Sequence, residues 1–277
     1  MSLLRINLID VGWGDSILIE SYTDSGEAHF ALIDSNDTAN YRSSYIFLKR
    51  FFERRDVRFP VDENLFDWVL LSHVHADHGQ GLKKVLQDFG TDWFCYPKSQ
   101  NTALFFSDLL RYAKRYGPNK GMRYQHVDQL QTLPALGDVH VEVLWPEENL
   151  LPENENNNSV VLALYLGNDA VVLTGDAEAE VWDSIAADIP ANTRFFKVPH
   201  HGSENGYFSH GSCPWIGQLD NQAVLGISSH IRPFRHPHQS VIDDLEQQPR
   251  TYLRTDEHYH IIFETDGTQH SIKYSHI

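Results

Sequence analysis

Residues 73–78 read His-Val-His-Ala-Asp-His and follow directly on an apolar run, 66–71, of strand length. A run apolar on both faces is typical of a strand covered on both sides, and the carboxyl end of such a strand is where α/β folds place their chemistry. If strand geometry continues past Ser72, His73 and His75 point the same way, and the following turn brings Asp77 and His78 beside them. Two neighbouring metal sites then become possible. Nitrogen and carboxylate donors suit zinc, manganese or iron, whereas an all-oxygen set would indicate magnesium or calcium. The competing reading, a histidine-rich surface loop, gives no role to the partners found later in the chain.

Size and composition narrow the class. A chain of 277 residues is long enough to bury a sizeable core as a single domain. Its 38 acidic against 22 basic residues give a formal net charge of -16, which opposes broad adhesion to nucleic acid or anionic membrane. A polyanionic substrate would need a local basic patch or bound cations. No signal-peptide pattern opens the sequence and no long apolar stretch suits a membrane. Cys95 and Cys213 are too few for a disulfide framework and are not spaced as a metal pair. A soluble, cytoplasmic protein without membrane partners is expected.

Along the chain, strands are expected at 3–9, 16–20, 29–33, 66–71, 140–144, 160–166, 170–173, 194–198 and 223–227, with a closing hairpin of 259–264 and 269–274 across Asp266-Gly267. Helices are expected at 41–55, 103–116 and 240–247, with Thr102 as a capping candidate for the second. The stretch 81–137 reads as a partly helical embellishment over one sheet end. Lys49, Arg50, Arg54, Arg55 and Arg58 form a basic stretch best read as a solvated helix face, and Phe105, Phe106, Tyr112 and Tyr116 as helix-to-core packing. Gly12-Trp13-Gly14 is too short for a nucleotide-binding fingerprint.

The 73–78 segment resembles the HxHxDH signature of metallo-β-lactamase-fold hydrolases. Asp34, at the end of a strand, Thr174-Gly175-Asp176 and Lys197-Val198-Pro199-His200-His201-Gly202-Ser203 resemble that family's other conserved segments in the same order. Within the superfamily the chain looks like the ComEC-like branch. Asp10-Val11-Gly12-Trp13-Gly14-Asp15-Ser16 resembles its DVGQGDS, with Trp13 in place of glutamine, and Asn157-Asn158-Ser159-Val160 resembles its asparagine-serine segment. Arg254-Thr255-Asp256 and Asp266-Gly267 also fit. Membrane helices belong to the full-length competence protein and are not found here, so a DNA-uptake channel is not implied.

The resemblance implies a four-layer αββα sandwich, an α/β (α+β) fold, and two divalent cations, zinc or manganese. His73 and His75 would hold one metal, Asp77, His78 and His200 the other, with Asp176 bridging and Asp34 orienting a ligand from behind. Many members supply another histidine to the first metal. Here Asn158 and Ser159 stand in that segment, so the first site is expected to be weak. A metal-bridged hydroxide is the implied nucleophile, with Asp77 orienting it and His236 protonating a leaving oxygen or clamping a phosphoryl group. Asn158, His201 and Ser203 are the expected substrate contacts. The leading function is a phosphodiesterase or nuclease acting on short nucleic acid, nucleotides or small phosphodiesters. Alternatives are hydrolysis of a carboxylic ester, lactone or amide, and a non-catalytic metal-binding partner or sensor module.

Overall fold

A computed structural model describes residues 1–37, 43–55 and 64–275. The first sheet takes β1 (Leu3–Leu8), β2 (Ile17–Tyr22), β3 (Ala28–Ile33), β4 (Phe66–Leu70), β5 (Thr91–Pro97), β6 (Arg123–Val127), and the late strands β13 (His260–Thr265) and β14 (His270–Ser275). Its order is β14-β13-β1-β2-β3-β4-β5-β6, antiparallel up to β3 and parallel beyond it. The second sheet holds β7 (His140–Trp145), β8 (Val161–Leu166), β9 (Asp169–Leu173), β10 (Thr193–Lys197), β11 (Val224–Ile227) and β12 (Tyr252–Arg254), in the order β12-β11-β10-β9-β8-β7. Pairs from β9 through β12 are parallel.

Strand periodicity builds the layers. Ile17 and Ile19 face the inter-sheet core while Leu18 faces the helices, and Trp68 and Leu70 divide from Val69 and Leu71 in the same way. In the second sheet, Leu162, Leu164 and Phe195 meet the first sheet, whereas Val161, Ala163 and Phe196 pack against the other helical layer. Helices α1 (Ser43–Arg54), α2 (Ala76–Gly79), α3 (Leu82–Asp88) and α4 (Leu104–Tyr116) lie on the first sheet's outer side. Helices α5 (Ala179–Ile185), α6 (Glu204–Tyr207) and α7 (Gln239–Leu245) cover the second, and the short α8 (Thr255–His258) follows β12. The αββα sandwich is therefore observed. At about 1.5–3 kcal/mol per fully buried large aliphatic or aromatic side chain, these three apolar clusters supply the main driving force for the fold.

Two expectations are corrected. The stretch 81–137 supplies β5 and β6 to the first sheet, with α3 and α4 packed on it, so it extends the layers and does not cap a sheet end. Only Val127 is fully buried in the edge strand β6, which leaves little periodic signal. Thr102 does not cap α4: the cap position is Ala103, without a side-chain bond, and Asn101 Oδ1 accepts from the Ala103 amide at 2.9 Å. Of the basic stretch, Arg58 lies outside the described residues. Lys49 pairs with Glu53 on an exposed helix face, as expected, whereas Arg55, just past α1, reaches the buried Glu20 of β2. Phe106 and Tyr112 are buried in the helix-side core, and Tyr116 is exposed. No helix among the described residues is long and apolar enough to cross a membrane.

Candidate metal centre

The two sheets deliver their donors to one cleft from the carboxyl ends of neighbouring strands. Asp34 follows β3 and residues 73–78 follow β4, while Asp176 follows β9 and His201 follows β10. Asp176 Oδ2 is the meeting point: His78 Nε2 lies 3.2 Å away, His201 Nε2 3.3 Å, and His73 Nε2 3.9 Å. Asp77 Oδ2 stands 3.9 Å from both His78 Nε2 and His201 Nε2. His75 Nδ1 is 3.0 Å from His73 Nε2. Residues from far apart in the chain thus form overlapping groups, His73 with His78 and Asp176, and Asp77 with His78 and His201, with donor atoms close enough for one ion each.

Behind the donors, Asp34 Oδ2 takes the Nδ1 proton of His78 at 2.7 Å, and the Ser72 amide and hydroxyl also donate to Asp34. That contact fixes the His78 tautomer and aims Nε2 into the cleft. His201 is aimed similarly, its Nδ1 donating to the Ser228 carbonyl at 2.9 Å.

The electrostatics describe a place built for positive charge. Burial works against protonation of His78, but Asp176, Asp34 and Asp77 outweigh it and hold the imidazole well above its ordinary value. His201 is raised in the same sense, burial being overcome by Asp176 and Asp15. Burial would also lift Asp176, yet His201, His78 and His200 hold it well below the usual carboxylate range. Burial, then His78, push His73 well down, which favours the neutral ring that a metal ligand requires. Asp176 Oδ1 and His201 Nε2 are buried without hydrogen-bond partners. Protons drawn to this cleft occupy ground a divalent cation would take, and the mixed nitrogen and carboxylate donors suit zinc or manganese. The residues present fit such ions.

The adjacent histidines divide differently from the expected assignment. His200 and His201 both adopt left-handed backbone, with φ of 47° and 55°, and Gly202 follows at 77°. This left-handed run ends the strand direction and presents both rings to Asp176, His201 at 3.3 Å and His200 at 3.9 Å. His201, 1 % exposed, enters the cleft. His200 is partly exposed, its Nδ1 lying 3.0 Å from Glu178 and its Nε2 3.9 Å from Asp176 Oδ2. Consecutive left-handed non-glycine residues are costly and cluster at functional sites.

The Ser203 hydroxyl accepts from the Gly206 amide at 3.1 Å as the cap of α6. Asn158 is buried, donating to the Lys98 carbonyl at 2.9 Å, with Oδ1 unpartnered, and it lines a cavity of about 520 Å³ beside the cleft. The Ser159 hydroxyl accepts from the Asp176 amide, so this segment supports the carboxylate from behind. His236 is buried with its ring centroid 6.3 Å from that of His201 and 5.6 Å from that of His200. Burial, then His201, His200 and His238, push it down to about 4.

Two residues of the resembling segments had no role assigned from the sequence. Lys197, with no exposed surface, reaches from the end of β10 to Asp15 Oδ2 at 2.8 Å and the Gly175 carbonyl at 2.9 Å. Asp15 is equally buried, and its Oδ1 lies 3.6 Å from His201 Nδ1. A lysine among the apolar residues of a buried strand was the available signal, since such a charge is retained only when paired. Gly14 brings the same loop under the ligand strip: at φ 92° a Cβ there would stand 2.1 Å from the Asp77 carbonyl oxygen.

A fold with donors converging at the carboxyl ends of two stacked sheets defines a metal-dependent hydrolase class. The chain belongs to the metallo-beta-lactamase superfamily, whose family model matches residues 61–209, just over half its length. It is similar to ComE operon protein 3 of Bacillus subtilis, 27% identical over 266 residues that cover 91% of this chain and 32% of that protein. It is also similar to Recombination protein 2 of Haemophilus influenzae, 25% identical over 65% of this chain and 20% of that one. The chain thus spans a third or less of these relatives' length, and the match to the ComE operon protein agrees with the ComEC-like motifs. Among solved structures, Igni18, a metallo hydrolase from Ignicoccus hospitalis, superposes with a TM-score of 0.49 at 12% identity, over 98% of this chain and 100% of that one.

Proposed function

We propose that this chain, acting as one domain over residues 1–277, is a phosphodiesterase or nuclease that works with two divalent cations, zinc or manganese. The observation that carries the reading is Asp176, a buried carboxylate facing the histidines of both donor sets with one oxygen still unpartnered. His73, His75 and Asp176 would hold one ion, and Asp77, His78, His201 and Asp176 the other. His200 takes a flanking position in place of the ligand role first expected of it. Such ions acidify water and stabilise charge on the attacking and leaving oxygens. The chain's own residues do the rest. Asp34 and the Ser228 carbonyl orient the imidazoles, and Asp77 positions the attacking water. His236, neutral at pH 7 given a value near 4, donates a hydrogen bond from its ring to a substrate oxygen. Asn158 offers its unpartnered Oδ1 at the cavity wall.

The phosphodiester preference is supported by the ComEC-like motifs and by a relative named for recombination. Two unpaired thiols support a cytoplasmic setting. Metal analysis followed by turnover assays with zinc, manganese and magnesium tests the reading. Two bound ions and hydrolysis of bis-p-nitrophenyl phosphate are expected, lost by about 10² or more in Asp77→Ala. Turnover of acyl esters alone would replace the phosphodiester reading. One ion per chain with no turnover on any substrate would point to a binding module, the outcome that the lack of a further histidine beside His73 and His75 would favour.

A further inference from the structure

Beside the metal centre, residues 230–236 lie against the Gly12-Trp13-Gly14 turn. The Trp13 ring centroid stands 5.4 Å from that of His201 and 4.3 Å from that of Phe234. The turn is held firmly: the Asn36 side-chain amide donates to the Trp13 carbonyl, the Ser228 hydroxyl to the Gly14 carbonyl at 2.9 Å, and the Gly12 backbone N–H to Asp10 Oδ1 at 2.9 Å. Phe234 continues outward from Trp13 and is 55 % exposed. A lone exposed phenylalanine means little. This one extends a row of rings that starts at a metal donor, with His236 beside it at 6.2 Å.

Charge distinguishes the place further. Arg232 and Arg235 are exposed on either side of Phe234 and form no ion pair among the described residues, unlike Arg5, Arg55, Arg194 and Arg254. In a chain of net charge -16, two free guanidinium groups next to an anion-processing cleft are a local exception to the field around them. They can bind phosphate oxygens, while the open ring of Phe234 presents a face to a flat partner. A duplex keeps its base faces stacked on one another and carries dense charge that the acidic chain repels. An unpaired nucleotide offers both the face and a single line of phosphates.

We propose that Trp13 and Phe234, flanked by Arg232 and Arg235, form a stacking shelf for an unpaired base of single-stranded nucleic acid, next to the phosphodiester held at the metal centre. The proposal rests on the phosphodiester reading for its place in the reaction, but it is tested by binding alone.

Fluorescence anisotropy with a short labelled oligonucleotide, in chelator so that nothing is cleaved, supplies the test. The probes are a single strand as DNA and as RNA, a base-free oligomer of equal charge, and the matching duplex. The wild-type chain should bind the single strand about tenfold more tightly than the base-free oligomer or the duplex, as base stacking on an aromatic side chain predicts. Phe234→Ala should lose about that factor on the single strand and little on the base-free oligomer. Arg232→Ala with Arg235→Ala should weaken both oligomers alike and flatten the salt dependence by about one to two charges. Equal binding of DNA and RNA supports a shelf reading base and phosphate alone, and a preference supports it while identifying the sugar. If Phe234→Ala binds every probe as the wild type does, or if duplex binds as tightly as single strand, the shelf is refuted even where bis-p-nitrophenyl phosphate is hydrolysed. Base-dependent binding without any phosphodiester turnover would instead retain the shelf and remove the catalytic reading.

Discussion

Replacing Lys197 by methionine removes one half of an ion pair that has no contact with solvent. Lys197 Nζ reaches Asp15 Oδ2 at 2.8 Å and the Gly175 carbonyl at 2.9 Å, and both side chains are essentially fully buried. Methionine fills the aliphatic volume but leaves the Asp15 carboxylate uncompensated. Removal of one partner from a buried pair costs about 3–5 kcal/mol, whereas replacing both by neutral groups of similar shape is often close to neutral. In chelator, to keep metal binding out of the measurement, Lys197→Met should lower the urea midpoint by roughly 1–1.7 M at a slope of about 3 kcal/mol per molar. Asp15→Asn combined with Lys197→Met should recover most of that loss. Acid gives an independent reading. Burial would raise the Asp15 pKa, but Lys197, His201 and His78 hold it below the ordinary carboxylate value. A carboxylate depressed in the folded state contributes stability that is fully present above its unfolded value and lost as pH falls through the folded one. Wild type should therefore lose this contribution as pH drops below about 4, and Asp15→Asn should not. A single Lys197→Met variant as stable as wild type, or a double variant as unstable as the sum of its parts, would refute the account of the pair.

Metal content separates the neighbouring histidines: His201→Ala should lose about one equivalent of bound ion, as loss of a direct ligand requires, and His200→Ala should keep both, with the opposite result reversing the assignment. Burial, the leading cause in each, pushes Cys95 and Cys213 up to about 12, so both should resist maleimide at pH 8 in the native chain and react in guanidinium. Rapid native labelling of either would contradict that burial.

The ligand strip at 73–78 was legible because all its donors lie within six residues of an apolar strand, so local order alone brings them together. The αββα layers were expected from the resemblance of the motif segments, since a strand such as β8 is apolar on both faces and shows no two-residue alternation of its own. Asp34 and Asp176 were picked out by that same resemblance, Asp34 at the end of a strand and Asp176 within Thr174-Gly175-Asp176.

What only the tertiary structure decided depends on contacts between distant segments. His200 and His201 are chemically identical neighbours, and nothing local says which turns inward; the left-handed run through Gly202, packed against Pro237, makes that choice. The Ser203 hydroxyl is drawn to the start of α6, a role visible only once that helix exists. Asp15 and Lys197 belong to different sheets and pair across the sandwich. Trp13 and Phe234, far apart in the sequence, bring their rings into contact for the same reason. Sequence periodicity specifies which face of an element is buried, but the side chain that meets it across the core is set by packing the two sheets together.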